Sequence, residues 1–115
     1  MYEQIANLLA LLEKSGKQYD VEKIKEAYAY AADLHEGQFR LSGEPYISHP
    51  IAVAEIVAEM GLDTDSICAA LLHDTVEDCS DKTNTGIICQ KFGEEVALLV
   101  DGLTKIMVEI GRAHV

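Results

Sequence analysis

Three side chains of this sequence, His49 and the adjacent pair His73-Asp74, have the chemistry of metal ligands. Two imidazoles and a carboxylate form a mixed nitrogen and oxygen donor set that suits Mn²⁺, Fe²⁺ or Zn²⁺. Neighbouring residues of a helix point about 100° apart, so the pair can grip one ion only between helices, with His49 delivered from another helix. The alternative is an ordinary hydrogen-bonded or solvated His-Asp pair.

Two further carboxylates, Glu77 and Asp78, follow one helical turn after the pair. As i+4 neighbours of His73 and Asp74 they would lie above the same face and could position or deprotonate an attacking water. The alternative is a charged helix end. Acidic groups at a helix C-terminus oppose the helix dipole, and this unfavourable placement favours a functional role.

Helices must bring these groups together, and the apolar periodicity predicts six of them. They run from Ile5 to Ser15-Gly16, from an N-cap at Asp20 to Gly37, from Pro50 to Gly61, from Asp63 or Thr64 to Cys79, from Thr83 to Phe92, and from Glu94 to Met107. The fifth is the weakest because Thr85-Gly86 interrupts it. The second carries His35 on its apolar side, and Gln38–Ser48 is a loop. We therefore predict an all-α bundle.

Composition and charge limit the possible functions. The chain has 115 residues, of which 49% are hydrophobic and 25% charged, a balance typical of one globular domain. Its formal net charge of −11 argues against nucleic-acid binding, which requires a basic face. An anionic substrate would need a metal ion and a few placed cationic groups to offset the acidic surface.

The sequence also predicts a cytoplasmic protein without a membrane partner. No apolar run approaches the roughly 18 residues of a spanning helix, and Glu3 stands where a signal peptide would be positively charged. The cysteines, Cys68, Cys79 and Cys89, are an odd number without a Cys-x-x-Cys pair. We expect reduced thiols that mostly pack in the core.

Three segments carry a specific set of motifs. They are His35-Glu36-Gly37-Gln38-Phe39-Arg40 with Ser42-Gly43-Glu44-Pro45-Tyr46-Ile47 and His49-Pro50; Ala69-Ala70-Leu71-Leu72-His73-Asp74-Thr75-Val76-Glu77-Asp78; and Phe92-Gly93 with Leu99-Val100-Asp101-Gly102-Leu103-Thr104-Lys105. Together these motifs resemble the HD-type (p)ppGpp hydrolase domain of the RelA/SpoT family. The resemblance covers roughly residues 20 to 106.

The resemblance implies an HD-domain helical bundle that acts in the stringent response, as the hydrolase part of a bifunctional RelA/SpoT-like protein. It would hydrolyse the 3′-pyrophosphate of ppGpp or pppGpp, giving GDP or GTP and pyrophosphate. By the resemblance, His49, His73 and Asp74 would bind a metal ion, which the family implies is Mn²⁺. Glu77 and Asp78 would be catalytic, and Arg40, Ser42 and Gly43 would bind the substrate. The planar guanidinium of Arg40 can pair with phosphate or stack on a base; without the motif it would be interpreted as a solvated loop cation.

The sequence departs from the family pattern towards its C-terminus. The family completes its metal site with an Asp in an Ala-Asp-Arg-Leu-type motif, which does not occur between Lys105 and Val115. We therefore expect residues 1–108 to form a partial HD domain that lacks its C-terminal helices and the fourth ligand, and we expect the isolated chain to be inactive or weakly active. Residues 109–115 match an in-frame translation of a common sequencing adapter, so we predict a non-native tail. An authentic stop codon directly after Val115 in source DNA would contradict this.

Two other functions fit the same residues. One is a small stand-alone HD phosphohydrolase of nucleotides, although Val100-Asp101-Gly102-Leu103-Thr104-Lys105 is more like the long family members. The other is a non-catalytic helical fragment, which would expose apolar surface and self-associate.

Overall fold

A computed structural model describes the backbone of residues 2–113 and the side chains of residues 2–103, and this part of the chain is helical. The elements are a 3-10 turn, Glu3–Ile5, followed by α1 Ala6–Lys14, α2 Val21–Leu34, α3 Ser48–Glu59, α4 Thr64–Leu72, α5 Thr75–Asp78, α6 Thr85–Phe92 and α7 Glu94–Ala113. Over these residues the only β-type pairing is an isolated bridge between Phe39 and Pro45. The all-α prediction is confirmed.

The helix α4 lies at the centre of the bundle and packs against α2, α3 and α7. Its residues from Ile67 to Leu72 are all buried, as expected for a helix that is covered on every side. Complete burial of a side chain such as Leu71 contributes roughly 1.5–3 kcal/mol to folding. The central helix therefore gives His73, which follows it directly, a fixed position.

The helix predicted from Asp63 or Thr64 to Cys79 is two helices, which explains a seventh α-helix in the described chain. In a continuous helix the carbonyls of Ala70 and Leu72 would accept from residues four positions later. Here Ala70 O lies 2.6 Å from His73 Nδ1, and Leu72 O accepts a 2.7 Å bond from the Thr75 hydroxyl. These side-chain bonds compete with the helical ladder, and the break places His73 and Asp74 at the junction of α4 and α5.

Side-chain caps begin three of the helices. Asp20 accepts from Lys23 N at 3.1 Å, as predicted, and Asp63 accepts from Ser66 N at 2.9 Å. Asn84 accepts from Ile87 N at 3.0 Å, so α6 begins at Thr85. The prediction that Thr85-Gly86 interrupts this helix is wrong, because the Asn84 cap holds both residues in its first turn.

The predicted loop between α2 and α3 is an ordered hairpin-like turn. Tyr46 N donates to Gln38 O, and Arg40 N donates to Glu44 O, each at 2.8 Å. Gly43 N donates to Arg40 O at 2.8 Å and has a φ of 91°, a conformation that favours glycine. These backbone bonds return the chain to the start of α3 and bring Tyr46 beside the predicted metal ligands.

Two thiols, Cys68 and Cys79, are buried as predicted, whereas Cys89 is exposed; all three are free.

An apolar pocket of about 200 Å³ lies between α3, α4 and α7, lined by Val53, Val57, Leu62, Ser66, Ala69, Ala70, Leu99 and Leu103. Self-association through such a surface stays a prediction.

None of the described helices is both long and apolar enough to cross a membrane.

The non-native tail at residues 109–115 stays a prediction. Its first five residues continue the backbone of α7, and His114 and Val115 lie outside the described residues.

Candidate metal centre

The structure brings together the three predicted metal ligands, His49, His73 and Asp74, which we call the donor cluster. One ligand atom from each residue lies within 4.8 Å of the others. His73 Nε2 is 3.2 Å from Asp74 Oδ1, and His49 Nε2 is 3.6 Å from Asp74 Oδ2. His49 comes from the first turn of α3, so two separate parts of the bundle form the cluster, as the spacing predicted.

The ring of His73 is held in an orientation that suits metal binding. Its side chain is 7% exposed, and Nδ1 lies 2.6 Å from the carbonyl oxygen of Ala70. A carbonyl oxygen only accepts, so Nδ1 carries the proton and donates it. This tautomer leaves the lone pair on Nε2, which faces Asp74 Oδ1. Histidines that ligate metals typically donate a hydrogen bond from the other ring nitrogen in this way.

The carboxylate of Asp74 is 14% exposed and has a neighbour on each oxygen. Oδ1 faces His73, whereas Oδ2 faces His49 and accepts a 3.1 Å hydrogen bond from the hydroxyl of Tyr46. Burial and the negative charges of Asp74 and Asp78 raise the pKa of Tyr46 well above its ordinary value. The hydroxyl therefore stays protonated at neutral pH and acts as a donor.

A second layer of side chains lies behind Tyr46. The ring of His35 is 2% exposed, which confirms its predicted place on the apolar side of α2, and its centroid is 4.8 Å from that of Tyr46. His35 Nδ1 is 2.9 Å from Gln38 Oε1, and Cys79 Sγ donates to Leu34 O at 3.4 Å. Neither Tyr46 nor Gln38 was among the site residues predicted from the sequence. A usable signal existed for Tyr46, which precedes His49 by three residues.

The predicted acidic pair, Glu77 and Asp78, lies on α5 directly after the donor cluster, and both residues are exposed. Asp78 N donates to Asp74 O at 2.8 Å, which keeps Asp78 one turn above that ligand. The charge of Asp78 also acts on the Tyr46 hydroxyl, as its effect on that pKa shows. The pair therefore borders the donor cluster and is open to a water molecule or a substrate.

The three predicted substrate-binding residues, Arg40, Ser42 and Gly43, are exposed at the end of the loop. With Leu41 they form a segment that we call the loop tip. An open pocket of about 380 Å³ is lined by Phe39, Arg40, Leu41, Ser42 and Tyr46. Because Tyr46 lines this pocket and also bonds Asp74, the loop tip and the donor cluster border the same region of the surface.

Comparisons with known proteins show which family the chain resembles. A family model described as an HD domain matches residues 27–113. The chain is 54% identical over 86 residues to a guanosine-3′,5′-bis(diphosphate) 3′-pyrophosphohydrolase of Vibrio cholerae serotype O1, a stretch that covers 75% of the chain and 12% of that protein. It is 50% identical over 86 residues, again 75% of the chain and 12% of the relative, to the bifunctional (p)ppGpp synthase/hydrolase SpoT of Escherichia coli strain K12.

A third relative carries a different name. The chain is 51% identical over 87 residues to a GTP pyrophosphokinase of Myxococcus xanthus. The matched stretch covers 76% of the chain and 11% of that protein. The chain thus spans about an eighth of the length of these curated relatives. The resemblance to RelA/SpoT proteins predicted from the motifs is confirmed. Since the family model matches well over half of the sequence, the chain belongs to the HD domain family.

Proposed function

We propose that this chain provides the hydrolase site of a RelA/SpoT-like protein, which cleaves the 3′-pyrophosphate of ppGpp or pppGpp in a manganese-dependent reaction. The observation that carries the proposal is the donor cluster, in which two imidazoles and a carboxylate lie within 4.8 Å beside the Arg40 pocket. The name of the Vibrio cholerae relative, a 3′-pyrophosphohydrolase, supports this choice of substrate.

The donor cluster fits a divalent transition metal such as Mn²⁺. Its nitrogen and oxygen donors match the preference of these ions, and the bond from His73 to Ala70 leaves Nε2 free to ligate. When bound, such an ion would neutralise charge on a phosphoryl oxygen and make water more acidic. The ligands would be His49, His73 and Asp74.

The proposed reaction adds one water molecule across the ester bond between the 3′ oxygen and the pyrophosphate. The water oxygen bonds to phosphorus, the 3′ oxygen leaves with a proton, and the products are GDP or GTP and pyrophosphate. Glu77 and Asp78 would hold the water and accept its proton. Their exposure beside Asp74 supports this role, because both carboxylates are accessible to solvent at the edge of the donor cluster.

Arg40 would bind the nucleotide. The chain carries a formal net charge of −11, so a polyphosphate is repelled unless cations lie close to it. The exposed guanidinium at the loop tip can form two parallel bonds with phosphate or stack on the base, and Ser42 adds a hydroxyl on the same pocket. Gly43 would contribute its backbone, which leaves room for a close approach.

The test is release of pyrophosphate from ppGpp by the purified chain, followed by phosphorus NMR with Mn²⁺ and with excess chelator. We expect weak turnover or none from the purified chain. The matched comparison is a longer version that includes the Asp-bearing helix expected from the family, and there we expect turnover that requires Mn²⁺ and yields GDP and pyrophosphate in equal amounts. Turnover by the longer version alone would support the family reaction and show that the isolated chain does not catalyse it. Absence of turnover from both would overturn the proposal.

A further inference from the structure

The Tyr46 side chain lies between the donor cluster and the loop tip, and its hydroxyl donates a hydrogen bond to a predicted ligand. It donates to Asp74 Oδ2 at 3.1 Å, while Asp74 Oδ1 faces His73. A carboxylate with one oxygen held by a neutral donor loses rotational freedom about its last side-chain bond. The bond therefore fixes the direction in which Asp74 presents its other lone pairs.

The ring of Tyr46 is itself held from two sides. His35 lies against it with a centroid separation of 4.8 Å, and His35 is anchored by Gln38 at 2.9 Å. The backbone N–H of Tyr46 donates to Gln38 O. Gln38 therefore holds both the side chain of His35 and the main chain of Tyr46. Because protein groups hold both the ring and the main chain of Tyr46, the fold itself orients the hydroxyl towards Asp74.

We propose that Tyr46 is a positioning residue that orients the Asp74 carboxylate and thereby sets the affinity and coordination geometry of the metal site. The inference rests on the metal site described under the proposed function and assigns a role to a residue outside the three ligands. Tyr46 acts through Asp74, and His35 and Gln38 act through Tyr46. Removal of the hydroxyl frees the carboxylate to rotate, which weakens binding by about tenfold, as is usual for groups that hold a metal ligand.

The test compares Mn²⁺ affinity by calorimetry in three variants of the chain. Tyr46→Phe removes only the hydroxyl, and we expect about tenfold weaker binding. Tyr30→Phe is the matched control, because its hydroxyl donates to Thr83 Oγ1 at 2.8 Å away from the site; it should bind Mn²⁺ like the unmodified chain. Unchanged affinity in Tyr46→Phe would overturn the positioning role.

Asp74→Asn separates this inference from the proposed function. If Asp74→Asn loses tight binding while Tyr46→Phe keeps it, the metal site stands and the role of Tyr46 falls. If Asp74→Asn binds Mn²⁺ as tightly as the unmodified chain, the metal site itself falls, and the role of Tyr46 falls with it.

A spectroscopic readout distinguishes orientation of the ligand from general stability. The visible absorption of bound Co²⁺ depends on the arrangement of its ligands, so Tyr46→Phe should shift the band at saturating Co²⁺ whereas Tyr30→Phe should not. Metal binding selects folded molecules, so the spectrum stays readable even if Tyr46→Phe lowers the melting temperature. A band identical to that of the unmodified chain would show that Tyr46 does not orient the ligand.

Discussion

The donor cluster and the loop tip border the same surface but are held in different ways. Within the donor cluster, His73 and Asp74 are fixed by side-chain bonds to Ala70 and Tyr46. At the loop tip, backbone bonds fix the main chain, while the Arg40 side chain extends into solvent. His73 and Asp74 are therefore oriented by the fold, whereas we expect the Arg40 side chain to become ordered only when substrate binds, at a cost in entropy.

The largest expected effect comes from Asp74→Asn, which removes the negative charge of the donor cluster but preserves the side-chain size. In the longer version that carries the Asp-bearing helix, which is also used for the kinetic variants below, we expect loss of tight Mn²⁺ binding and of all detectable turnover, because an amide is a weak ligand for such a cation. Calorimetry with Mn²⁺ is the measurement. Asp33→Asn, at an exposed position on α2, is the control and should leave affinity unchanged. Equal affinity in the two variants would refute the ligand assignment.

Glu77→Gln tests the chemistry that borders the cluster without touching the ligands. We expect Mn²⁺ to bind normally and kcat to fall by about a hundredfold or more, as is usual when a general base is removed. The control is Glu59→Gln, at an exposed position at the end of α3. A fall in metal affinity equal to the fall in kcat would instead place Glu77 among the ligands.

Arg40→Lys tests the loop tip and should act on the opposite parameter. Lysine keeps the charge but not the planar fork, so we expect KM for ppGpp to rise about tenfold while Mn²⁺ affinity is unchanged. Steady-state kinetics at saturating Mn²⁺ measure this effect. If KM is unchanged but kcat falls, Arg40 acts on the reacting atoms and the proposed division between the two regions is wrong.

The sequence was sufficient to predict the meeting of His49 with His73-Asp74, because a helical bundle with these motifs leaves few other places for a metal. It was insufficient for the break between α4 and α5. The segment from Thr64 to Asp78 contains no Gly or Pro that would mark a break, and the bonds to Ala70 and Leu72 that divide the helix arise from local side-chain geometry.

The spacing of Tyr46 from His49 indicated only that the two residues are neighbours, and the bond from Tyr46 to Asp74 was not predictable for a related reason. Its hydroxyl reaches Asp74, which is 28 residues later, and its ring rests on His35 at the end of α2. Periodicity places residues on helix faces but does not specify contacts between a loop and a distant helix junction. The hairpin bonds of the loop and the packing of the ring on His35 determine where Tyr46 lies.

The smallest expected effect comes from Gly43→Ala, which alters the main chain of the loop tip alone. No atom lies within 4 Å of an added Cβ, so the cost is the positive φ of the residue, about 1 kcal/mol. Gly102→Ala is the matched control, because this glycine lies in α7 with equally open space, and alanine there should stabilise the fold by up to about 1 kcal/mol.

Urea denaturation should therefore give changes of opposite sign for the two alanine variants, while Mn²⁺ affinity stays the same in both. A stabilising effect of Gly43→Ala would show that the loop does not keep the turn in solution. A fall in Mn²⁺ affinity in Gly43→Ala would show that the turn supports the donor cluster through Tyr46, and the two regions would then form one unit.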